Sequence, residues 1–250
     1  MVQPSHPLTI GVLALQGSFA EHVEILRSLS LPPGASVTGV RTPSELERCR
    51  ALIIPGGEST TMSLVAQRGG MLEPLKRFVE DARHSRGKAV YGTCAGMILL
   101  AKEVIGAKEG YKGLQGVDCR IVRNQYGRQV LANPTFRQAE SFAHPLEISS
   151  LASSSIPYNA IFIRAPVIHS LIPPQDASSP QVEVLVRVPR SVLPSPTKAA
   201  IAVGGASELG PDADVVMLRQ GDILMTSFHP ELTPDTRIHD WWCRTMVFKE

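Results

Sequence analysis

Through the first half of the chain, unbroken apolar runs alternate with stretches whose apolar residues recur every three or four positions. LTIGVLAL at residues 8–15 is apolar almost throughout and reads as a strand. Beyond Gln16-Gly17, residues Phe19, Val23 and Leu26 share one face of a helix predicted over 18–30. The alternation continues with a strand at 36–40, a short helix at 44–50, and a strand at 51–54 closed by Pro55-Gly56-Gly57. Helices are predicted over 59–68 and 71–85, then a strand at 88–92 that feeds a helix starting near Cys94. Strands with no polar face must be covered on both sides, as in a mostly parallel sheet flanked by helices on both faces. Such sheets bind ligands beyond the carboxyl ends of their strands. The turns at Gln16-Gly17, Gly56-Gly57 and Gly92 to Gly96 all fall at strand ends of that kind, so they are expected along one sheet edge.

The second half is less regular and has extra strands, with candidates at 160–163, 182–188, 199–204, 215–219 and 223–228. Residues 149–155, 172–180, 189–197 and 204–214 are rich in serine, proline and glycine, the composition of exposed loops. A last helix carrying Trp241 and Trp242 is expected over 234–248. No internal repeat is evident, and residues 1–250 read as a single α/β domain.

Composition then narrows the function classes. With 43% hydrophobic and 19% charged residues, the chain is an ordinary globular one, long enough to bury a substantial core. A net charge of +2, without any block of like charges, points away from nucleic acid and membrane surfaces as partners. The opening residues lack the basic segment of a signal peptide, and no apolar run reaches membrane-spanning length. Cys49, Cys94, Cys119 and Cys243 are widely separated and form no CxxC pair. That pattern predicts reduced thiols in a cytoplasmic protein rather than disulfides or a zinc site. The histidines are equally scattered, so no metal is expected.

Three short stretches can carry chemistry. Gly92-Thr93-Cys94-Ala95-Gly96 has the G-x-nucleophile-x-G form of a strand–turn–helix elbow, with cysteine in place of serine. Side chains flanking so sharp a turn would strike the neighbouring strand and helix, and glycine avoids this. The nucleophile then sits at a helix start, where free N–H groups favour a thiolate. By themselves the same residues also fit a turn kept small for packing. His229-Pro230-Glu231 follows a predicted strand, and in an extended segment residues i and i+2 point the same way. Glu231 can therefore hold the His229 ring and stabilise its charged form, although a surface turn fits as well. In Pro55-Gly56-Gly57-Glu58-Ser59-Thr60, Gly57 can aim an N–H at a developing oxyanion, with the N–H of Ala95 as a second donor. Ser59 or Thr60 can equally cap the helix that follows. A cysteine elbow and a His-Pro-Glu segment in this order make accident a poor explanation of both.

Six segments occur in order: Leu13-Ala14-Leu15-Gln16-Gly17, Pro55-Gly56-Gly57-Glu58-Ser59-Thr60, Gly92-Thr93-Cys94-Ala95-Gly96, Arg123-Asn124-x-x-Gly127-Arg128-Gln129, Phe162-Ile163-Arg164-Ala165-Pro166 and Phe228-His229-Pro230-Glu231-Leu232. Spread over nearly the whole chain, they resemble the glutaminase subunits of pyridoxal 5′-phosphate synthase, a branch of the class I, triad-type glutamine amidotransferases. The elbow and His-Pro-Glu segments are shared by class I glutaminases at large, and the other four mark this branch. The resemblance implies a flavodoxin-like α/β fold. It also implies hydrolysis of L-glutamine to L-glutamate and ammonia through a cysteine thioester. The ammonia would pass to a separate ring-forming synthase subunit that assembles pyridoxal phosphate (vitamin B6).

In that reaction Cys94 would attack the side-chain amide, His229 would move the protons, and Glu231 would orient His229. Gly57 and Ala95 carry over as oxyanion donors. Gly57, Glu58, Ser59, Arg123, Ile163 and Arg164 match glutamine-binding positions, and Gln16 matches a residue near the ammonia exit and the synthase contact. Chemically, Arg123 or Arg164 suits the α-carboxylate of glutamine and Glu58 its α-ammonium. No cofactor is implied, since neither a Schiff-base lysine nor a phosphate cradle stands out. The resemblance further implies low activity of the isolated chain, with synthase docking completing the oxyanion hole by reorienting the Gly56-Gly57 peptide.

The chain departs from this family pattern after Gln129. VLANPTF at 130–136 precedes Arg137-Gln138-Ala139-Glu140-Ser141-Phe142, where the family runs almost directly into a Ser-Phe-Glu-like segment. The Arg-Gln pair occurs twice, so the added residues read either as a surface loop or as a change in one wall of the glutamine site.

Overall fold

The computed structural model describes residues 8–123, 141–151, 156–174, 179–193 and 208–250. The first half holds β1 (Thr9–Leu13), α1 (Phe19–Ser28), β2 (Ser36–Val40), α2 (Pro43–Glu47), β3 (Cys49–Ile54), α3 (Ser59–Arg68), α4 (Leu72–Arg83), β4 (Ala89–Thr93) and α5 (Ala95–Leu100). After it come β5 (Ala101–Ile105), β6 (Val117–Val122), β7 (Ser141–Leu146), β8 (Tyr158–Ile163), β9 (Val167–Leu171), β10 (Val182–Arg187), β11 (Val215–Gln220), β12 (Ile223–Thr226) and α6 (Arg237–Trp242).

Seven strands form the main sheet in the order β10-β11-β12-β4-β3-β1-β2. β2, β1, β3, β4 and β12 run parallel, and β11 and β10 are added antiparallel at one side. This is a doubly wound α/β sheet, whose connections reverse direction between β1 and β3 and open a crevice beyond their carboxyl ends. Successive residues of β3 face opposite cores. Ala51 and Ile53 join Leu26 of α1 and Ile238 and Trp242 of α6, while Leu52 and Ile54 join Met62, Leu75 and Phe78 of α3 and α4. Because both faces are dry, no polar alternation survives in the strand sequences. Each fully buried leucine or isoleucine here contributes about 1.5–3 kcal/mol.

Two smaller sheets, β5-β6-β9 and β7-β8, complete the described fold. Buried Asp118 of β6 anchors the first of them, bonded by Arg83 of α4, by Lys102 at 2.9 Å and by Gln220 of β11 at 2.8 Å. These sheets matter for the site because Arg123 directly follows β6, and Ile163 and Arg164 close β8.

Several boundaries differ from the sequence expectations. The helix expected over 44–50 stops at Glu47, since Cys49 is drawn into β3 beside Thr9. The helix expected over 234–248 is α-helical only over Arg237–Trp242 and continues as a π-helical turn over Cys243–Phe248. Two expected loops contain short 3-10 turns, Ser149–Leu151 and Arg190–Val192. The candidate strand at 199–204 and the added residues 130–136 lie outside the described residues. Among the described residues, no helix is long and apolar enough to cross a membrane, and no group of His, Cys, Asp and Glu is placed to hold a metal.

Candidate active site

The turns after β1, β3 and β4 meet at the carboxyl edge of the sheet. The N–H of Ser18 donates to the Gly56 carbonyl at 3.1 Å, and the N–H of Glu58 donates to Oε1 of Gln16 at 2.8 Å. Cys94 stands between β4 and α5 with φ 47° and ψ −103°, a conformation that costs a cysteine about 1–3 kcal/mol. Its N–H donates to the Thr226 carbonyl at 3.0 Å, and its carbonyl accepts from Ile98 at 3.2 Å, so both sides of the turn are tied down. The flanking glycines are required by space. A side-chain carbon on Gly96 would lie 1.9 Å from the Ile54 carbonyl oxygen, and one on Gly92 would lie 2.5 Å from Leu100. Ala95 occupies the first position of α5, where an N–H has no intrahelical partner.

His229 faces Cys94 across Gly56, where an added carbon would sit 2.7 Å from the His229 ring and 3.5 Å from Cβ of Cys94. The backbone of His229 is held to β8 by its N–H, which donates to the Ile161 carbonyl at 2.8 Å. Nδ1 of its ring lies 2.8 Å from Oε1 of Glu231, which leaves the other ring nitrogen for the Cys94 sulfur. The His–Glu pair forms at the start of the 3-10 turn Pro230–Leu232, not along the extended segment the sequence implied. Ser18 also donates to Oε1 of Glu231, at 2.6 Å. Ser18 occupies the cap position of α1, yet its hydroxyl makes no cap bond there, forgoing about 1 kcal/mol of helix stability to hold the carboxylate.

Charge follows from these contacts. Burial disfavours the imidazolium of His229, but the Cys94 sulfur and the Glu231 carboxylate outweigh it and push the ring up to about 10. Burial would raise Glu231, but its bond to His229, the nearby His22 and Ser18 bring it down to about 2. The arrangement therefore favours a proton on His229 and negative charge on Glu231.

A cavity of about 330 Å³ opens at Cys94 and His229. Gly57, Glu58 and Ser59 line it from the β3–α3 turn, Gln16 from the β1–α1 turn, and Arg123, Ile163 and Arg164 from the smaller sheets. Every expected substrate-binding position thus falls on one cavity, although Arg123 and Arg164 come from separate sheets. Arg164, like Cys94, has φ 47°. Glu58 is the N-cap of α3, the role the sequence offered to Ser59 or Thr60: its carboxylate accepts from the N–H groups of Thr60 at 3.2 Å and Thr61 at 2.7 Å. Despite the opposing effect of burial, these bonds hold Glu58 at about 2. Nη2 of Arg123 lies 3.0 Å from Glu58, whereas its Nη1 is buried and has no partner among the described residues. Sequence reading missed Ser18, His22, Thr93 and His239. The available signal was His22 on the apolar face of α1, four positions before Leu26.

A cysteine on a strained strand-to-helix elbow, paired with a histidine and a buried glutamate over an amino-acid-sized cavity, defines an α/β protein of the acyl-transfer class. Comparison with known proteins makes the class specific. The chain belongs to the SNO glutamine amidotransferase family, whose model matches residues 12–189 and 182–248. It is 39% identical to pyridoxal 5′-phosphate synthase subunit PdxT of Rhodococcus opacus, covering 92% of this chain and 93% of that protein. The PdxT subunit of Pyrococcus furiosus is 38% identical, with 95% and 98% covered. A crystal structure of a glutamine amidotransferase, 37% identical, superposes with a TM-score of 0.67 over 94% of this chain and 97% of its own.

Proposed function

We propose that this chain is the glutaminase subunit of a pyridoxal 5′-phosphate synthase, hydrolysing L-glutamine to L-glutamate and ammonia for a separate ring-forming subunit. The observation that carries the site assignment is the meeting of Cys94 and His229 on a cavity that Arg123 also lines, with buried Glu231 bonded to the His229 ring. Nη1 of Arg123, unpartnered among the described residues, receives the α-carboxylate of glutamine together with Arg164, and Glu58 fixes Arg123 and offers negative charge to the α-ammonium. Gly57, Ser59 and Ile163 shape the remaining wall.

The Cys94 thiol passes its proton to His229 as the sulfur attacks the side-chain amide carbon, and the N–H groups of Ala95 and Gly57 receive the oxyanion. His229 gives its proton to the leaving nitrogen, ammonia departs, and a glutamyl thioester remains. His229 then takes a proton from water, which attacks the thioester and releases glutamate and the Cys94 thiol. Glu231 keeps His229 in one orientation through both halves. Gln16, at the cavity wall between two turns, borders the ammonia exit and the synthase contact.

The Gly56 carbonyl is held by Ser18, so the planar peptide directs the Gly57 N–H the opposite way. Turning that peptide on synthase docking would break the Ser18 bond, which supports an oxyanion hole that matures only in the complex. The chain acts as one glutaminase domain without a cofactor, in the reducing cytoplasm, consistent with four unpaired cysteines. A glutamine-analogue alkylating reagent tests the assignment: label on Cys94 that excess glutamine prevents is expected, and label spread over the other cysteines or insensitive to glutamine contradicts it.

A further inference from the structure

Polar contacts continue behind Glu231. Its Oε1 is taken by Ser18 and His229, but Oε2 is fully buried and has no hydrogen-bond partner among the described residues. The group facing Oε2 is Nε2 of His22, 3.5 Å away, with the Thr93 hydroxyl 3.4 Å from the same nitrogen. On the other side of the ring, Nδ1 of His22 lies 2.9 Å from Nε2 of His239, and Nδ1 of His239 has no partner among the described residues. Both histidines are completely buried.

These contacts select the tautomers. A proton on Nδ1 of His22 would turn a bare nitrogen lone pair toward the carboxylate. It would also force His239 to accept at Nε2 and carry its own proton on Nδ1, a buried N–H with nothing to receive it. Placing both protons on Nε2 removes both conflicts. His239 donates to His22, His22 aims an N–H at Oε2, and the orphan at the end of the chain is a bare acceptor, which proteins tolerate better than an orphan N–H.

We propose that His22 and His239 form an uncharged pair of positioning residues, a one-way relay of N–H groups that fixes Glu231 from behind during glutamine hydrolysis. The proposal rests on the glutaminase reading above. The groups facing His22 are Glu21 on its own helix, Glu231 and His229 from the segment after β12, Thr93 of β4, and His239 of α6, whose ring also contacts Tyr91. Burial outweighs the attraction of the carboxylates and keeps the His22 ring neutral. A neutral donor fixes the carboxylate without drawing on its charge, whereas an imidazolium there would compete with His229 for it.

Two measurements test this. Ring-nitrogen NMR of the chain labelled with ¹⁵N-histidine, recorded at neutral pH, should find His22 and His239 both uncharged and both protonated on Nε2. An Nδ1 tautomer or a charged ring at either position overturns the proposal, whatever the activity. The second measurement is glutamate release with the ring-forming synthase subunit present. His22→Leu should lower kcat by about 10- to 100-fold with KM nearly unchanged, and shift the acid limb of the pH profile upward, because Glu231 has lost a donor. His22→Gln, which restores an N–H near the place of Nε2, should recover most of the loss. An unmoved acid limb in His22→Leu, or a glutamine variant as slow as the leucine one, overturns the role. Absence of release by the unmodified chain would instead remove the glutaminase reading and leave the tautomers to be judged by NMR.

Discussion

Nδ1 of His229 lies 2.8 Å from Oε1 of Glu231, in a pair of residues separated only by Pro230. The carboxylate accepts, the ring donates, and the second ring nitrogen is thereby presented to Cys94. Glu231→Gln keeps the shape but offers an amide that can turn N–H toward the ring, favouring the wrong tautomer. We expect kcat to fall on the order of 10³- to 10⁴-fold with little change in KM, measured as glutamate release in the presence of the synthase subunit. A loss below tenfold would show that Glu231 does not set the ring.

Binding and chemistry should separate at Arg123. Arg123 lines the cavity, and its buried guanidinium has one nitrogen committed to Glu58 and one without a partner among the described residues. Arg123→Ala should raise KM for glutamine by about 10- to 100-fold, the worth of a charged hydrogen bond, while kcat changes far less. Arg123→Lys should recover little, because one ammonium cannot serve both positions. An unchanged KM would move the α-carboxylate elsewhere.

The elbow makes a stability prediction. A carbon added at Gly96 meets the Ile54 carbonyl, a backbone atom of the central strand that cannot step aside. Gly96→Ala should cost about 3 kcal/mol in urea unfolding and displace Cys94. Unchanged stability would mean that the turn is looser than described.

The buried charges set a pH window for folding. His229 is raised from 6.5 to about 10, so its contribution is complete below pH 6.5 and lost as pH rises through 10. Glu231 is lowered from 4.5 to about 2, so its contribution is present above pH 4.5 and lost as pH falls through 2. His22 and His239 are lowered by burial from 6.5 to about 4 and about 3, which works on the acid side. Below pH 6.5 the unfolded chain binds protons that these buried rings refuse, and each removes about 1.4 kcal/mol per pH unit. Stability measured by denaturant should therefore peak near pH 6.5, with an acid-side slope that is shallower in His22→Leu. A slope unaffected by that substitution would show that His22 titrates freely.

How much of this was legible in the sequence depended on where each signal lay. The parallel core declared itself because strands such as Cys49–Ile54, buried on both faces, read as unbroken apolar runs. Strand β5 did not, since Ala101–Ile105 follows α5 without a break and its Lys102 and Glu103 continue the helix-like pattern. Val117–Val122 was masked by Asp118 and Arg120, whose partners Arg83 and Glu103 are distant in sequence. The catalytic candidates were visible through short motifs at strand ends. His22 and His239 were not, because each looks like a solitary histidine on a helix until the fold brings residues 217 positions apart into contact.

Glutamate and ammonia released by the wild-type chain and by Cys94→Ala, each alone and with the ring-forming synthase subunit, test the central claim most directly. The account predicts equal amounts of the two products from the wild-type complex and much slower release by the chain alone. It predicts none from Cys94→Ala, which should still bind the synthase. Release by Cys94→Ala at the wild-type rate, or no release by the wild-type chain in either condition, would contradict it.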